Sequence, residues 1–529
     1  MALAFIAGAV MTVVGLVFAP AMLEIMNTTE DTIADSTLYL RIVFLSMIPS
    51  MVYNVGSSIL RAIGDSRSPL YLSLIHISAD LLDMSAIEIS GTVVGKLFPD
   101  FAPSEMNQLI ERAYRGKFET DELTPVVPVG DRYVLELFRG PTSAFKDVAL
   151  SVLPRLIVAS REKLGVTDEI AILTATSGDT GKAALEGFRD VPGTRIVVFY
   201  PDGGVSDVQR AQMVTQQGAN VRVCAIRGNF DDAQAGVKAI FADDEANGWA
   251  AKSGVRLSSA NSINLGRLAP QVAYYFKSYA DLVLTGAVTL GDEVNFVVPT
   301  GNFGDILAGE LARRMGLPVG KLVCASNANN VLTDFIRTGR YDRRREFHKT
   351  VSPSMDILVS SNLERYLLLA SDCDFALVRR LMDELRDTGV YEAPASLRET
   401  MRRRFSAYCA TDAEAIEAIG RVWREQEYLL DPHTAVAWVA MERFCGEAAP
   451  TNATVVLSTA SPYKFPHTVL RAMDGEVPQD GFEAMDRLFD LTGVPVPKNL
   501  TELRGKRARF SDCIGREEML SYVQRAVQP

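Results

Sequence analysis

The chain has 529 residues, 48% of them hydrophobic and 22% charged, with a formal net charge of -11 at pH 7. This length allows several domain-sized units, and the acidic balance excludes a broad nucleic-acid-binding surface, because phosphate binding needs clustered Lys and Arg. Six scattered cysteines without CxxC spacing and four histidines make no zinc pattern, so we expect free thiols in a reducing, intracellular setting and no metal site.

The first 77 residues differ in composition from the rest of the chain. Residues 1–23 and 42–60 contain no charged residue, and each run is long enough to cross a hydrocarbon core of about 30 Å as a helix. We therefore expect two membrane-spanning helices. A signal peptide is disfavoured because no Lys or Arg precedes the first run, and buried core helices are the other alternative.

Residues 39–70 carry the phrase Leu-Arg-Ala-Ile-Gly-Asp-Ser-Arg-Ser-Pro-Leu at their end. This stretch resembles part of a multidrug and toxin extrusion (MATE) transporter, although it covers only a small part of such a helix bundle. The resemblance stops within residues 72–78, and no Gly/Ser/Pro-rich linker follows. We therefore hypothesise that the chain is a chimera of two unrelated genes.

From about residue 81 the sequence is typical of a soluble α/β protein. Residues 104–114 have helical spacing with Ser104 as a capping residue. Because helix-like segments separate most of the predicted strands, we expect mainly parallel sheets covered on both faces. The predicted strands are residues 124–129, 132–138, 169–176, 196–200, 221–226, 294–298, 322–326 and 455–458.

Residues 341–450 are more helical and richer in charge, which indicates a cap or an insertion between strands. Amphipathic helices are predicted over residues 375–387, 396–408 and 413–426. Asp431 is a predicted N-cap with Pro432 at the first helical position. His433 is therefore interpreted as structural rather than catalytic.

Lys146 lies near a predicted turn-to-helix junction, because Gly140 and Pro141 end a strand-like run and a helical pattern begins at Ala144. A lysine there can be partly desolvated, which lowers its pKa and makes the amine a nucleophile able to form a Schiff base. The alternative is a solvated helix lysine paired with Asp147.

Two further turns join a predicted strand to a predicted helix. The first contains Ser177, Gly178, Asp179 and Thr180, and the second contains Gly301, Asn302, Phe303 and Gly304. Glycines let backbone amides face inwards at a helix N-terminus, where the dipole favours an anion. Each turn is therefore either a ligand-binding turn at the carboxyl edge of a sheet or a purely structural one.

These motifs together resemble those of the threonine synthase family, whose members are fold-type-II (tryptophan synthase β-like) enzymes. Leu-Phe-Arg-Gly-Pro-Thr-Ser-Ala-Phe-Lys-Asp is similar to the family's cofactor-lysine motif, and Gly-Asn-Phe-Gly-Asp to its cofactor-phosphate loop. The resemblance implies that Lys146 is the Schiff-base lysine of pyridoxal 5'-phosphate. It also implies that the cofactor phosphate binds to Gly301, Asn302, Phe303 and Gly304.

The resemblance implies substrate-side residues as well. The Thr-Ser-Gly-Asp-Thr-Gly turn resembles the family's substrate-carboxylate loop, which assigns Ser177, Gly178, Asp179 and Thr180 to the substrate. Asn261 and Ser262 belong to an Asn-Ser-Ile-Asn motif and are expected to hydrogen-bond substrate or cofactor. Arg267 either binds the substrate phosphate bidentately or is a buried structural arginine.

The last motif, Ser-Thr-Ala-Ser-Pro-Tyr-Lys-Phe, resembles the family's Thr-Ala-His-Pro-x-Lys-Phe. Thr459 is then expected to hydrogen-bond the pyridine nitrogen of the cofactor. Ser461 replaces the usual histidine, which puts a proton-transfer role there in doubt. Lys464 either attracts the substrate phosphate or lies at the surface.

The implied activity is a carbon–oxygen lyase reaction that converts O-phospho-L-homoserine and water into L-threonine and phosphate, in the cytoplasm. Lys146 would move protons at the α and β carbons. The family's N-terminal part, ahead of residue 81, is replaced by the membrane-like segment, so we expect weak or no activity. Alternatives are another lyase of this fold, such as threonine dehydratase, or a non-enzymatic membrane transport fragment. Monomer and dimer both stay open.

The expected organisation has five parts, with contact to a membrane only through the first. They are a MATE-like fragment (1–77), a shortened region leading to the cofactor lysine (78–150), a pyridoxal-phosphate-binding α/β core (151–340), a helical cap (341–450) and a segment completing the core (451–529).

Overall fold

The computed structural model describes residues 79–527 except 474, together with residues 12, 15–20, 23, 33, 36 and 37. The chain divides into two compact units, Met1–His76 and Ile77–Pro529. In the first unit, residues 15–20 are helical. Both predicted membrane-spanning helices lie largely outside the described residues, and no helix within the described ranges has the length and hydropathy needed to cross a bilayer.

The described strands of the second unit form three sheets. The strands are β1 (Val126–Val129), β2 (Arg132–Glu136), β3 (Glu169–Ala175), β4 (Thr194–Pro201), β5 (Val221–Ile226), β6 (Val255–Ser259), β7 (Val294–Pro299), β8 (Val319–Ser326), β9 (Arg340–Asp342), β10 (Val390–Glu392), β11 (Phe405–Cys409), β12 (Thr454–Ser458) and β13 (Cys513–Ile514). The larger sheets have the orders β1-β2-β12-β7-β8-β11 and β13-β5-β4-β3-β6, and β10 pairs with β9.

Helices connect these strands. They are α1 (Ala86–Leu97), α2 (Pro103–Tyr114), α3 (Lys146–Lys163), α4 (Asp179–Phe188), α5 (Asp207–Val214), α6 (Phe230–Ala242), α7 (Asp244–Lys252), α8 (Leu265–Leu284), α9 (Gly304–Arg314), α10 (Val331–Thr338), α11 (Leu363–Ala370), α12 (Phe375–Thr388), α13 (Ala395–Arg404), α14 (Asp412–Gln426), α15 (Pro432–Ala448), α16 (Pro466–Ala472), α17 (Gly481–Thr492), α18 (Lys498–Thr501) and α19 (Met519–Val527). Short 3-10 segments occur at Ala79–Asp83, Pro353–Met355, Pro462–Lys464 and Arg516–Glu518.

Parallel pairing dominates both larger sheets, as the sequence predicted. In the six-stranded sheet only β1 and β2 are antiparallel to each other, and every pair in the five-stranded sheet is parallel. Ile172 and Leu173 of β3 pack into separate apolar clusters, so this sheet is buried on both faces. Complete burial of such a side chain stabilises the fold by roughly 1.5–3 kcal/mol.

The predicted helix over residues 396–408 is wrong at its end. Helix α13 stops at Arg404, and Phe405–Cys409 forms β11, which pairs with β8 in parallel register. Phe405 and Ala407 are buried in this register, so sheet pairing outweighs the helical pattern. Residues 341–450 are therefore not a helical cap alone, because they supply an edge strand of the six-stranded sheet.

The predicted capping role of Ser104 is also wrong. Helix α2 begins at Pro103 after an Ala102 N-cap, and no side chain caps it. Proline at the first position presets a helical φ and has no amide hydrogen to satisfy. By contrast, Asp431 does cap α15, with Pro432 at the first position, as predicted.

Candidate active site

One cavity lies where strands of both larger sheets end. Residues that follow β3 and β6 of one sheet, and β7 and β12 of the other, all reach it. The predicted site residues that line the cavity are Lys146, Ser177, Thr180, Asn261, Ser262, Arg267, Gly301, Asn302, Phe303, Gly304 and Thr459. Segments far apart in the chain therefore converge as the motifs suggested.

Lys146 is the first residue of α3 and is only 7% exposed. Its Nζ lies 3.8 Å from Asp179 Oδ2 and donates a hydrogen bond of 3.5 Å to Ser354 Oγ. Burial lowers the pKa of Lys146 to about 8, although the Asp179 carboxylate opposes this change. At pH 7 roughly a tenth of this amine is therefore uncharged and nucleophilic, far more than for a solvated lysine.

Asp147 is not the partner of Lys146, so the alternative of a solvated lysine pair is wrong. Its carboxylate accepts hydrogen bonds from Thr142 N (2.8 Å) and Thr142 Oγ1 (2.5 Å). A Cβ at Gly140 would lie 2.6 Å from Asp147 Cβ, so the turn tolerates only glycine there. Burial raises the pKa of Asp147 to about 6, opposed by the Thr142 hydrogen bonds. Asp147 thus fixes the turn that precedes Lys146.

The β7 turn, residues 300–305, joins β7 to α9. Phe303 is the N-cap residue in the left-handed conformation (φ 57°), and no side chain caps the helix. A Cβ at Gly301 would lie 3.0 Å from Ser354 O and 3.1 Å from Met355 Cα. The first amides of α9 therefore have no capping side chain and can bind an anion.

Asn302 connects this turn with the end of β6. Its Oδ1 accepts a hydrogen bond of 3.2 Å from Ser361 Oγ, which is also 3.1 Å from Ser262 Oγ. Asn261 Nδ2 donates to Ala175 O (3.0 Å), which ties the ends of β3 and β6 together. In the structure, Asn261 and Ser262 therefore hold cavity walls in place.

The β3 turn, residues 176–181, is arranged differently. Thr176 Oγ1 accepts hydrogen bonds from Gly178 N (2.9 Å) and Gly181 N (2.8 Å). Asp179 Oδ1 accepts from Gln209 Nε2 (2.8 Å) and pairs with Lys464 Nζ (2.6 Å). Burial raises the pKa of Asp179, but the two lysine ammoniums outweigh this and hold it well below its usual range.

Arg267 is buried, and two of its nitrogens donate hydrogen bonds to other residues of the protein. Nη1 donates to Ala260 O (3.0 Å) and Nη2 to Thr180 Oγ1 (3.3 Å). Its Nε, however, is buried without a hydrogen-bond partner, and the side chain lines the cavity. Burial lowers the pKa of Arg267 to about 10. This side chain combines a structural contact with one donor that a ligand would satisfy.

Residues after β12 complete the site. Thr459 O accepts a hydrogen bond of 2.9 Å from Phe145 N, and Thr459 lines the same cavity as Lys146. Ser461 Oγ accepts from Tyr463 N (3.3 Å) and caps a short 3-10 turn. Lys464 is fully buried, so the alternative of a surface lysine is wrong. It donates to Thr142 O (3.1 Å) and is not among the described residues that line the cavity.

Two cavity residues escaped the sequence analysis. Ser354 was not among the predicted site residues, but its Oγ accepts a hydrogen bond from Lys146 Nζ. His433 Nδ1 lies 2.8 Å from Asp431 Oδ1, and its Nε2 accepts from Ser354 N (3.2 Å). This geometry favours the tautomer protonated at Nδ1, and it makes His433 the support of Ser354. No strand–turn–helix signature marks Ser354, so no local signal identified it.

Comparison with known families gives three matches. The family model described as pyridoxal-phosphate dependent enzyme matches residues 129–460, and the model of the threonine synthase C-terminal part matches residues 434–522. A MatE model matches residues 1–82. Both resemblances noted in the sequence, and the fold-type-II class, are thereby confirmed.

Proteins of similar sequence support the same family assignment. Threonine synthase-like 1 of Homo sapiens is 40% identical over 71% of this chain and 51% of its own length. The threonine synthase of Pseudomonas aeruginosa is 42% identical over 71% of this chain and 77% of its own length, and that of Saccharomyces cerevisiae is 38% identical over 70% and 76%. The chain spans about half the length of the threonine synthase-like 1 proteins that it matches.

Solved structures show the same fold. The pyridoxal-phosphate-bound threonine synthase of Brucella melitensis superposes with a TM-score of 0.74 at 35% identity, covering 86% of this chain and 92% of its own. The yeast threonine synthase also gives 0.74, at 32% identity, covering 85% and 89%.

Proposed function

Because the chain belongs to the threonine synthase family of pyridoxal-phosphate-dependent enzymes, we propose that it converts O-phospho-L-homoserine and water into L-threonine and phosphate. The observation that carries this proposal is the buried Lys146 amine in a cavity bordered by both strand-to-helix turns. The amine supplies the reactive group, and the turns supply sites for two anions.

The residues present fit the cofactor. The uncapped N-terminus of α9 and the close approach at Gly301 suit a phosphate group. Thr459 lines the same cavity, and a threonine hydroxyl suits a ring nitrogen that is not held protonated. We therefore assign Gly301, Asn302, Phe303 and Gly304 to the cofactor phosphate and Thr459 to the ring nitrogen.

When bound, pyridoxal phosphate supplies an aldehyde for an amine and an electron sink for the substrate carbons. Lys146 Nζ would hold the cofactor, and after release from it the uncharged amine would accept a proton from a substrate carbon. Ser354 Oγ and Asp179 Oδ2 orient this amine from two sides. The burial of Lys146 limits the access of bulk water to these proton transfers.

The β3 turn and Arg267 are proposed to hold the substrate. Ser177 and Thr180 line the cavity next to Lys146, and their hydroxyls and amides suit a carboxylate. The unpartnered Arg267 Nε adds a donor for an anionic group. Lys464 is left out of this set, because it is not among the described residues that line the cavity and its ammonium is paired with Asp179.

The test is a product assay on the full chain supplied with pyridoxal phosphate and O-phospho-L-homoserine. We expect L-threonine and phosphate in equal amounts, above the background of the Lys146→Ala variant. Threonine is then supplied as the substrate, because formation of 2-oxobutyrate from it would indicate a threonine dehydratase instead. Absence of L-threonine above the variant background would overturn the proposal.

A further inference from the structure

Lys464 is fully buried and is not among the described residues that line the cavity. Its Nζ donates to Thr142 O at 3.1 Å and pairs with Asp179 Oδ1 at 2.6 Å. A buried charge is costly unless polar partners compensate it, and here Thr142 O and the Asp179 carboxylate do so. Here the pairing carboxylate is the one that also faces the reactive lysine, so Lys464 and Lys146 compete for the same negative charge.

The contacts of Asp179 are unequal on its two oxygens. Oδ1 receives Lys464 and a hydrogen bond of 2.8 Å from Gln209 Nε2, whereas Oδ2 lies 3.8 Å from Lys146 Nζ without a hydrogen bond. Two donors on one oxygen fix the orientation of the carboxylate. They also neutralise much of its charge before that charge can stabilise a protonated Lys146.

We propose that Lys464 is a positioning residue that acts through Asp179 to keep the Lys146 amine uncharged and reactive near neutral pH. This inference rests on the proposed function, in which Lys146 is the reacting amine. Without the Lys464 charge, Asp179 would pair with Lys146 alone, and the protonated form of Lys146 would gain stability.

Other charged groups also affect the protonation of Lys146, and the proposal leaves their effects unchanged. Arg267, from α8, and the Lys464 charge itself disfavour its protonated form directly, whereas Asp147, the next residue of α3, favours it. Asp305, from α9, also interacts with its charge. Burial lowers the pKa of Lys146 more than any of these groups, to about 8. The Lys464–Asp179 pair therefore adjusts the pKa of Lys146, which burial has already lowered toward neutral pH.

The experiment measures the ionisation of Lys146 directly. The full chain, freed of cofactor, is labelled with trace acetic anhydride across a pH series, and acetylation of the Lys146 peptide is followed by mass spectrometry. The parent midpoint is expected near pH 8. Lys464→Met should raise this midpoint by about one pH unit. Lys163→Met, at the far end of the same helix, should leave it unchanged.

A double-mutant comparison tests whether the effect of Lys464 on Lys146 depends on Asp179. Asp179→Asn alone should lower the Lys146 midpoint, because it removes the nearby negative charge. In the Asp179→Asn background, the Lys464→Met substitution should produce less than half of its effect in the parent. Equal shifts in both backgrounds would show that Lys464 acts on Lys146 without Asp179, and would overturn the proposal.

Because an apolar residue at this buried position can prevent folding, Lys464→Gln is the second variant, and its amide can still donate to Thr142 O. Circular dichroism checks that each variant is folded. An unchanged midpoint in the folded Lys464→Gln protein overturns the proposal. If neither variant folds, an unchanged midpoint in Asp179→Asn overturns it. No substrate turnover is measured, so failure here is distinct from failure of the proposed activity.

Discussion

The β3 turn and the β7 turn have the same local architecture, but they differ in whether their backbone amides are free to bind a ligand. Both join a buried parallel strand to a helix at the carboxyl edge of a sheet. In the β3 turn, Thr176 Oγ1 accepts hydrogen bonds from two of the backbone amides, and Asp179 adds a negative charge. In the β7 turn, the N-terminus of α9 has no capping side chain. The glycine-rich pattern alone does not distinguish these outcomes.

Under the proposed function, this difference would let one cavity bind two anions in different places. The β7 turn leaves helix amides for a phosphate that stays bound. The β3 turn keeps its shape without a ligand, because its own threonine closes it, and it presents a charged network to Lys146. A permanent cofactor suits the first arrangement and a transient substrate suits the second.

Removing the amine that lies between the turns should have the largest effect. Lys146→Ala is expected to lower the rate of threonine formation by about 10³-fold or more, because both the covalent anchor and the base are lost. The visible absorbance of the lysine-bound cofactor should disappear as well. Lys163→Ala on the same helix, half exposed and paired with Glu105, is the control that should retain both properties.

A methyl group in the β7 turn should weaken the binding of the cofactor. Gly301→Ala would bring a Cβ to 3.0 Å from Ser354 O, so the backbone must move. We expect the Kd for pyridoxal phosphate to rise about tenfold, which corresponds to about 1.4 kcal/mol. Titration followed by visible absorbance measures this value, and an unaltered Kd would place the phosphate elsewhere.

The same substitution in the β3 turn should instead affect the substrate. A Cβ at Gly181 would lie 2.4 Å from Thr176 Cγ2 and 2.7 Å from Val198 Cγ1, so the turn must shift. For Gly181→Ala we expect the KM for O-phospho-L-homoserine to rise about tenfold, with the cofactor Kd changed less than about twofold. Equal losses in both constants would remove the distinction between the turns.

The internal cap of the β3 turn should contribute mainly to stability. Thr176→Val leaves the amides of Gly178 and Gly181 without their acceptor, and the free energy of unfolding should fall by about 1–3 kcal/mol. Urea denaturation measures this change. Thr176→Ser retains the hydroxyl and should lose less than half as much; equal losses would show that the hydroxyl does not carry the effect.

Most of the fold was predictable where the signal is local. The strands β3, β5 and β7 were predicted within one or two residues, because buried apolar runs bounded by glycine-rich turns are distinctive. The strands β6 and β11 were not predicted. Half of β6 is polar and only partly buried, and β11 continues directly from a helix. Both are strands because a neighbouring strand pairs with them.

The sequence by itself determined the family, the cofactor and the position of Lys146, since each depends on a short run of residues whose order is the signal. Only the tertiary structure decided that Lys464 faces Asp179 rather than solvent, that Asp147 closes a turn, and that Ser354 contacts the reactive amine. The physical reason is that burial and charge pairing depend on residues distant in sequence. A local pattern can place a lysine on a helix, but the groups packed around it set its charge.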